Sequence, residues 1–161
     1  MFRRMLTSPL GPLMATSNGI AVTSLQFGGD EELAATTADG GADDVLDVLA
    51  SQLGEYFAGM RRTFAVPLEA SGTPFQQAAW GALADVGWGR TCTYGELAVK
   101  IGRPTSVRAV AAALGRNPIA IIIACHRVIG ADGRLTGYAG GLERKAALLD
   151  LESALPRRAA A

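Results

Sequence analysis

The sequence predicts an α+β protein: a small N-terminal α/β domain over residues 1–70, then a mostly helical domain over 71–161. Three observations predict it. A hairpin signal, Asn18-Gly19 between two apolar runs, lies near the start. Ala70-Ser71-Gly72-Thr73-Pro74 breaks the chain where composition and charge change sign. Beyond it, two short helical patterns flank Gly102-Arg103-Pro104-Thr105, the spacing of a helix-turn-helix.

The elements follow in order. Leu13–Thr16 and Ile20–Phe27 read as the hairpin strands, with Ser8-Pro9-Leu10-Gly11-Pro12 as an earlier turn. Residues 28–41 read as a loop. From 42 to 58, Val45, Leu46, Leu49, Leu53, Tyr56 and Phe57 recur at helical spacing behind an acidic first turn, and Gly59 stops the helix. Residues 63–68 read as a strand. Met14, Met60 and the aromatics of this half are assigned to the core. No chemistry is visible here, so the domain is read as a support.

In the second half, Thr73, Pro74 and Gln76 form a capping-box pattern opening a helix to about Asp85, with Phe75, Ala79 and Leu83 on one face and Trp80 in the core. Thr93 caps a second helix, Tyr94 to about Ile101, with Glu96 at capping-box distance. A third runs from Ser106 to about Leu114. Its apolar stripe is read as Val107, Val110, Ala111 and Leu114. The opposite face carries Arg108, Ala109, Ala112, Ala113 and Arg116, where small residues would let the backbone approach a partner closely. High helix propensity alone also produces alanines. Ala131–Gly141 is a glycine-rich loop around Tyr138, and a last helix spans about Glu143 to Ser153. Pro156–Ala161 reads as a frayed tail.

Net charge is zero, yet residues 1–70 carry four Lys and Arg against nine Asp and Glu, and residues 71–161 carry eleven against six. The basic half suits a polyanionic partner; a solvated surface accounts for the same excess. A membrane-spanning segment and a signal-peptide core are not expected. Two cysteines, Cys92 and Cys125, make no disulfide framework, and with one histidine they cannot complete a Cys/His zinc site. Cys92 is read as structural.

Ile119–Ile123 is too short and β-branched for a helix and is read as a buried extended segment that delivers Cys125 to the inside of a pocket. His126, the only histidine, and Arg127 follow directly. Either could favour the thiolate, the nucleophilic form. Taken alone, such a Cys-His pair is more often a small core hydrophobe beside a hydrogen-bonded core histidine.

Ala124-Cys125-His126-Arg127-Val128 resembles the Pro-Cys-His-Arg-Val signature of the O6-alkylguanine-DNA alkyltransferases (methylated-DNA–protein-cysteine methyltransferases). The ordered matches extend through Phe75-Gln76-Gln77, Trp80, Thr93–Ala98, Arg108-Ala109-Val110, Asn117-Pro118, Thr136–Leu142, Lys145, Leu148-Leu149 and Glu152. They cover about residues 73–155, and the N-terminal third matches only in general pattern.

The resemblance implies a ribonuclease H-like N-terminal domain and a winged helix-turn-helix-like catalytic domain. It implies a DNA repair protein that flips O6-alkylguanine, and by extension O4-alkylthymine, from duplex DNA. The alkyl group would pass irreversibly to Cys125, once per molecule and without cofactor or metal. Its catalytic set would be Cys125, His126, Glu152, Tyr94 and Asn117. Arg108, Tyr94, Ala109, Ala113 and Arg116 would meet the DNA minor groove. Val128, Tyr138 and Ala139 would form the guanine pocket with backbone groups of a Cys125–Val128 strand. His126 would act through a water, oriented by Glu152. Arg127 would pair with a carboxylate and hold the two domains together. The protein would be a cytoplasmic monomer (nucleoid-associated if bacterial), with cooperative binding along DNA left open and no membrane partner. Family members often carry serine at Ala139, so alanine would leave room for larger alkyl groups. Ala124 replaces the family proline, and slower or less ordered chemistry is expected from it. Two other readings compete: a non-catalytic alkylated-DNA-binding module of the alkyltransferase-like type, and a cysteine hydrolase built on Cys125, His126 and Glu152.

Overall fold

A computed structural model describes residues 1–28 and 42–154. Most of the loop expected at 28–41 and the tail expected at Pro156–Ala161 therefore lie outside the described residues. The chain divides into two compact units. One comprises Met1–Ser71 together with Pro118–Ile122; the other comprises Gly72–Asn117 and the chain from Ile123 onward.

In the N-terminal unit, β1 (Phe2–Leu6), β2 (Leu13–Ser17) and β3 (Val22–Phe27) form an antiparallel sheet in the order β1-β2-β3. Alternation places Leu13 and Ala15 on the buried face, and the register shift at Thr16/Ser17 lets both Val22 and Leu25, three residues apart, join them. Asn18 turns the hairpin by accepting from the N–H groups of Ile20 and Ala21. Helix α1 (Asp44–Phe57) is capped by the Asp43 carboxylate, which accepts from Val45 and Leu46 N–H. It contributes Leu46, Leu49, Leu53 and Tyr56 to the core. Gly59, at φ 76°, ends it by turning the chain outward. Met60 is thereby 81% exposed and is not the core residue that its apolarity suggests.

Residues 63–68 do not form a strand. Pro67 has no N–H to donate, and the segment reaches the sheet through a single parallel bridge, Val22 to Leu68. The Ala65 N–H goes instead to the Gln52 side chain.

The C-terminal unit contains α2 (Pro74–Ala82), α3 (Tyr94–Lys100), α4 (Val107–Gly115) and α5 (Leu142–Leu151), with a two-stranded parallel pair, β4 (Cys92–Thr93) and β5 (Val128–Ile129). Both halves of the Thr73/Gln76 capping box open α2, which continues as a 3₁₀ turn over Leu83–Asp85. Thr93 accepts from Glu96 N–H at the start of α3. Trp80 is buried, and its indole N–H donates to Ala113 O at 2.9 Å, fixing α2 on α4. Among the described residues no helix is long and apolar enough to cross a membrane.

The buried stripe of α4 is Val110, Ala113 and Leu114, not the stripe read from the sequence. The helix is rotated so that Val107 and Ala111 face outward. Ala113, expected on the DNA-facing side, is only 3% exposed beneath Trp80 and is withdrawn from that set.

The expected extended run at Ile119–Ile123 is a pair of tight turns. Leu25 N–H donates to Pro118 O, and Ala120 N–H donates to Leu25 O, so the chain touches β3 only at Ile119. Ile122 N–H then bonds back to Ala120 O across Ile121, whose φ is 72°. Cys125 N–H bonds back to Ile123 O across Ala124, at φ −80° and ψ 58°. These are successive γ-turns of opposite hand, the first of the rare, strained kind. Five apolar residues suggested a strand because periodicity does not register where the Ile122 and Cys125 N–H groups bond two residues back.

Candidate active site

Cys125 enters the site at the head of a 3₁₀ turn, Cys125–Arg127, rather than on a strand. It lines a cavity of about 530 Å³ together with Tyr94, Val107, Arg108, Ala111, Leu114, Gly115 and the Thr136–Ala139 loop. That size suits a small ligand. Of the expected pocket residues, Tyr138 and Ala139 are on the wall. Val128 is not: it is fully buried and spends its backbone pairing with Cys92. Arg108 lines the cavity from the exposed face of α4, while Ala109 and Arg116 are exposed elsewhere on or just beyond that helix.

Asn117 lies within reach of the nucleophile. Its Nδ2 donates to Ile123 O at 2.7 Å and to Cys125 Sγ at 3.0 Å, so one amide holds both the turn and the sulfur. Burial pushes the Cys125 thiol up. The Asn117 hydrogen bond, the Lys145 charge and the backbone N–H groups of Cys125 and His126 oppose that rise without cancelling it. The resting sulfur is therefore a thiol, and it needs a base.

His126 supplies one. It is fully buried, and burial lowers its pKa against the pull of Glu152, which leaves a neutral imidazole. Its Nε2 lies 2.8 Å from Glu152 Oε2. Glu152 also accepts from Arg127 Nε at 2.8 Å and Nη2 at 3.1 Å, and a carboxylate paired with a guanidinium through two charge-assisted bonds is an acceptor toward its third partner. Nε2 must then carry the imidazole hydrogen, which leaves the Nδ1 lone pair as the basic position. Arg127 Nη1 donates to Val86 O. Both partners of Arg127 lie in the C-terminal unit, so its observed role is to neutralise Glu152, not to join the domains.

Sequence reasoning missed one residue. Lys145 was matched but assigned no role, yet its side chain is fully buried. Its Nζ donates to Thr136 O at 2.7 Å, to Gly137 O at 3.3 Å and to Tyr94 Oη at 3.5 Å, and it lies 5.7 Å from the Tyr94 ring centroid. Tyr94 O–H donates to the same Thr136 carbonyl. Burial lowers the Lys145 pKa to about 8, and the charge of Cys125 opposes the fall. The signal was present in the sequence: Lys145, Leu148, Leu149 and Glu152 share one helical face, so an apolar stripe is bounded by charges of opposite sign. Cys92 is half-buried, and burial raises its thiol pKa, as befits a structural cysteine.

Residues 74–154 match the DNA binding domain of 6-O-methylguanine DNA methyltransferase, and residues 1–70 match its ribonuclease-like domain. The chain belongs to the 6-O-methylguanine DNA methyltransferase family. Similar members include the methylated-DNA–protein-cysteine methyltransferase of Mycobacterium tuberculosis, 47% identical over 92% of this chain and 90% of that protein. Another is that of Methanosarcina barkeri, 44% identical over 94% and 97%. Among solved structures, M. tuberculosis OGT in complex with DNA superimposes with a TM-score of 0.85 at 47% identity, covering 95% of this chain and 93% of that one. The methyltransferase of Methanococcus jannaschii gives 0.70 at 26% identity, with 93% of each chain covered. The family's two-part α+β architecture is the one described above.

Two outcomes follow from the buried charges. Glu152→Ala strands Arg127 without its carboxylate, and urea denaturation should show a loss of about 3–5 kcal/mol. His126 resists protonation in the folded chain, whereas the unfolded chain takes the proton near the ordinary value of 6.5. Stability is therefore full above that pH and falls as pH drops through it. Thermal melts between pH 7 and 5 should show this decline, and His126→Gln should flatten it.

Proposed function

We propose that the chain repairs O6-alkylguanine in duplex DNA by moving the alkyl group to its own Cys125, once per molecule. Alkyl transfer from methylated DNA to a protein cysteine is the activity of its family. The observation that carries the assignment to this residue is Cys125 itself: the one thiol on the cavity wall, beside a buried neutral imidazole whose tautomer Glu152 dictates.

In this reading the thiol proton passes through a water to His126 Nδ1, and the imidazolium is stabilised by Glu152. The thiolate attacks the alkyl carbon, and the C–O6 bond breaks with its electron pair going to guanine. Tyr94 O–H gives the departing base a proton, and Lys145, poised against that hydroxyl and the Thr136 carbonyl, offsets the charge. Asn117 holds the sulfur in line. The thioether product has no leaving group, so the protein acts once.

A base inside a duplex cannot reach a buried sulfur, so the nucleotide must leave the stack. Arg108, exposed and on the cavity wall, is placed to fill the gap it leaves. Ala109 and Ala112 allow the α4 backbone to approach the minor groove, with Arg116 at the far end. Ala139 leaves space beside the leaving group for alkyl substituents larger than methyl. The recognition-module alternative loses ground because the nucleophile, its base and the orienting acid are all in place; a hydrolase would lack any reason for the arginine-flanked helix.

Incubation with an O6-methylguanine duplex should add a single methyl mass to the intact protein, capped at one per molecule and absent in Cys125→Ser. Tight lesion binding with no mass change would make the protein a recognition module. Ala124 provides a second test. Its φ of −80° lies within the range of proline, and no hydrogen bond from its N–H is seen among the described residues. Ala124→Pro should raise stability by about 0.4–1 kcal/mol and speed single-turnover transfer by tightening the turn before the nucleophile. An unchanged rate would remove the kinetic part of that expectation.

A further inference from the structure

Among the described residues, two buried side-chain polar atoms have no hydrogen-bond partner: His126 Nδ1 and the Tyr138 hydroxyl. The first is the basic nitrogen of the relay. The second belongs to a residue that the family resemblance assigns only to the pocket wall. A buried hydroxyl without a partner is destabilising, so an orphan of this kind calls for an explanation.

The Tyr138 side chain lines the cavity that holds Cys125, but its oxygen is closed to solvent. The oxygen is turned to the interior, where the charges that bear on it are those of Cys125, Arg144 and Glu152. Two of these are the nucleophile and the acid of the relay.

We infer that the Tyr138 hydroxyl is a positioning residue for the proton transfer from Cys125 to His126, holding the water that joins Sγ to Nδ1. The inference rests on the alkyl-transfer reading of this site. The water passes one of its protons to Nδ1 and receives the thiol proton from Sγ, so it is unchanged at the end. Sγ becomes thiolate and the ring becomes imidazolium. The Tyr138 O–H donates a hydrogen bond to the water oxygen and keeps its own proton throughout. That the phenol is a donor only is supported by its environment: burial, then the charge of Cys125, drive its pKa well above the ordinary tyrosine range. A buried water needs two to four polar partners, and Sγ, Nδ1 and this hydroxyl supply three.

The test is Tyr138→Phe, which keeps the ring and removes only the hydroxyl. Three rates and affinities are read on the full chain. Single-turnover methyl transfer at saturating O6-methylguanine duplex should slow about tenfold or more, with lesion affinity unchanged. Alkylation of Cys125 by iodoacetamide without DNA, followed by peptide mass to separate it from Cys92, should slow by a similar factor. Its pH profile should move to higher pH, with Cys125, Arg144 and Glu152 as the titratable or charged groups that act on the hydroxyl. The melting temperature should change little, because the hydroxyl bonds to no protein group among the described residues. In a His126→Ala background the same substitution should have no further effect.

Wild-type rates in both reactions would overturn the inference and leave the hydroxyl as a packing accident. Slow transfer caused by weakened lesion affinity, with normal iodoacetamide reactivity, would overturn it in favour of a contact to the base. Slowed iodoacetamide reactivity in a protein whose wild type never takes a methyl from DNA would support the relay while refuting the alkyl-transfer reading.

Discussion

The Glu152 carboxylate governs the site. It sits just past the end of α5, fully buried, and collects Arg127 through two bonds and His126 through one. Its charge could not survive in that interior without the guanidinium. Once the charge is secured, the imidazole has no choice of tautomer: Nε2 faces an acceptor, so Nδ1 must be the base. On the proposed mechanism, Arg127 would thus act on catalysis without touching the reacting atoms. It keeps an anion where an anion is costly, and that anion sets which nitrogen is free.

The nucleophile is handled by the same logic in reverse. Burial protects Cys125 from adventitious chemistry by keeping it a thiol, while Asn117 and Lys145 lower the cost of the thiolate without reaching it at rest. On the proposed mechanism the sulfur is therefore primed by geometry and would be released by proton transfer. The backbone that presents it is strained: Ile121 holds a left-handed φ inside the core, and the next turn reverses the hand at Ala124. A strand would have pointed alternate side chains to opposite faces and fixed the sulfur by register. Two γ-turns instead let Asn117, eight residues back, fold over both the turn and Sγ.

How much of this was legible in the sequence depended on the range of the interactions. Caps, the Asn18 hairpin and the helix stop at Gly59 are local, and the residues that make them are adjacent in the chain. The spatial grouping of Asn117 with Cys125 and of His126 with Glu152 was legible through the resemblance, since ordered motifs substitute for contacts that sequence alone does not reveal. What failed was rotation and reach. The α4 stripe was misassigned because alanines at 109, 111, 112 and 113 carry almost no amphipathic signal, so the buried face is chosen by Trp80 from another helix. The Thr63–Leu68 strand failed on one missing N–H. Lys145 was overlooked because a buried lysine announces itself only through partners 8, 9 and 51 residues away.

The disposition of the remaining basic side chains bears on the surface as much as on the site. In the described part of the C-terminal unit, Lys100 pairs with Asp85, Arg127 with Glu152 and Arg134 with Asp132, while Arg144 and Lys145 bond to carbonyls. Arg90, Arg103, Arg108 and Arg116 are exposed, and none of their side chains has a hydrogen bond or ion pair to another described residue. Three of these four bracket α4: Arg103 in the turn before it, Arg108 in its first turn, Arg116 just past its end. Net charge conceals this, because the acids that cancel it lie mostly in the other half of the chain. A solvated surface would mix such residues with acids. Here the uncommitted cations flank a helix whose outward residues are otherwise alanine and valine, a face with charge at its margins and little bulk between them. Phosphates on either side of a narrow groove present the complementary pattern, and affinity of that kind is expressed through release of counterions rather than through shape. In the proposed reading, the charge that would bind and the charge that would react are thus held apart: among the described residues one set is left free at the surface, and the other is neutralised in the interior.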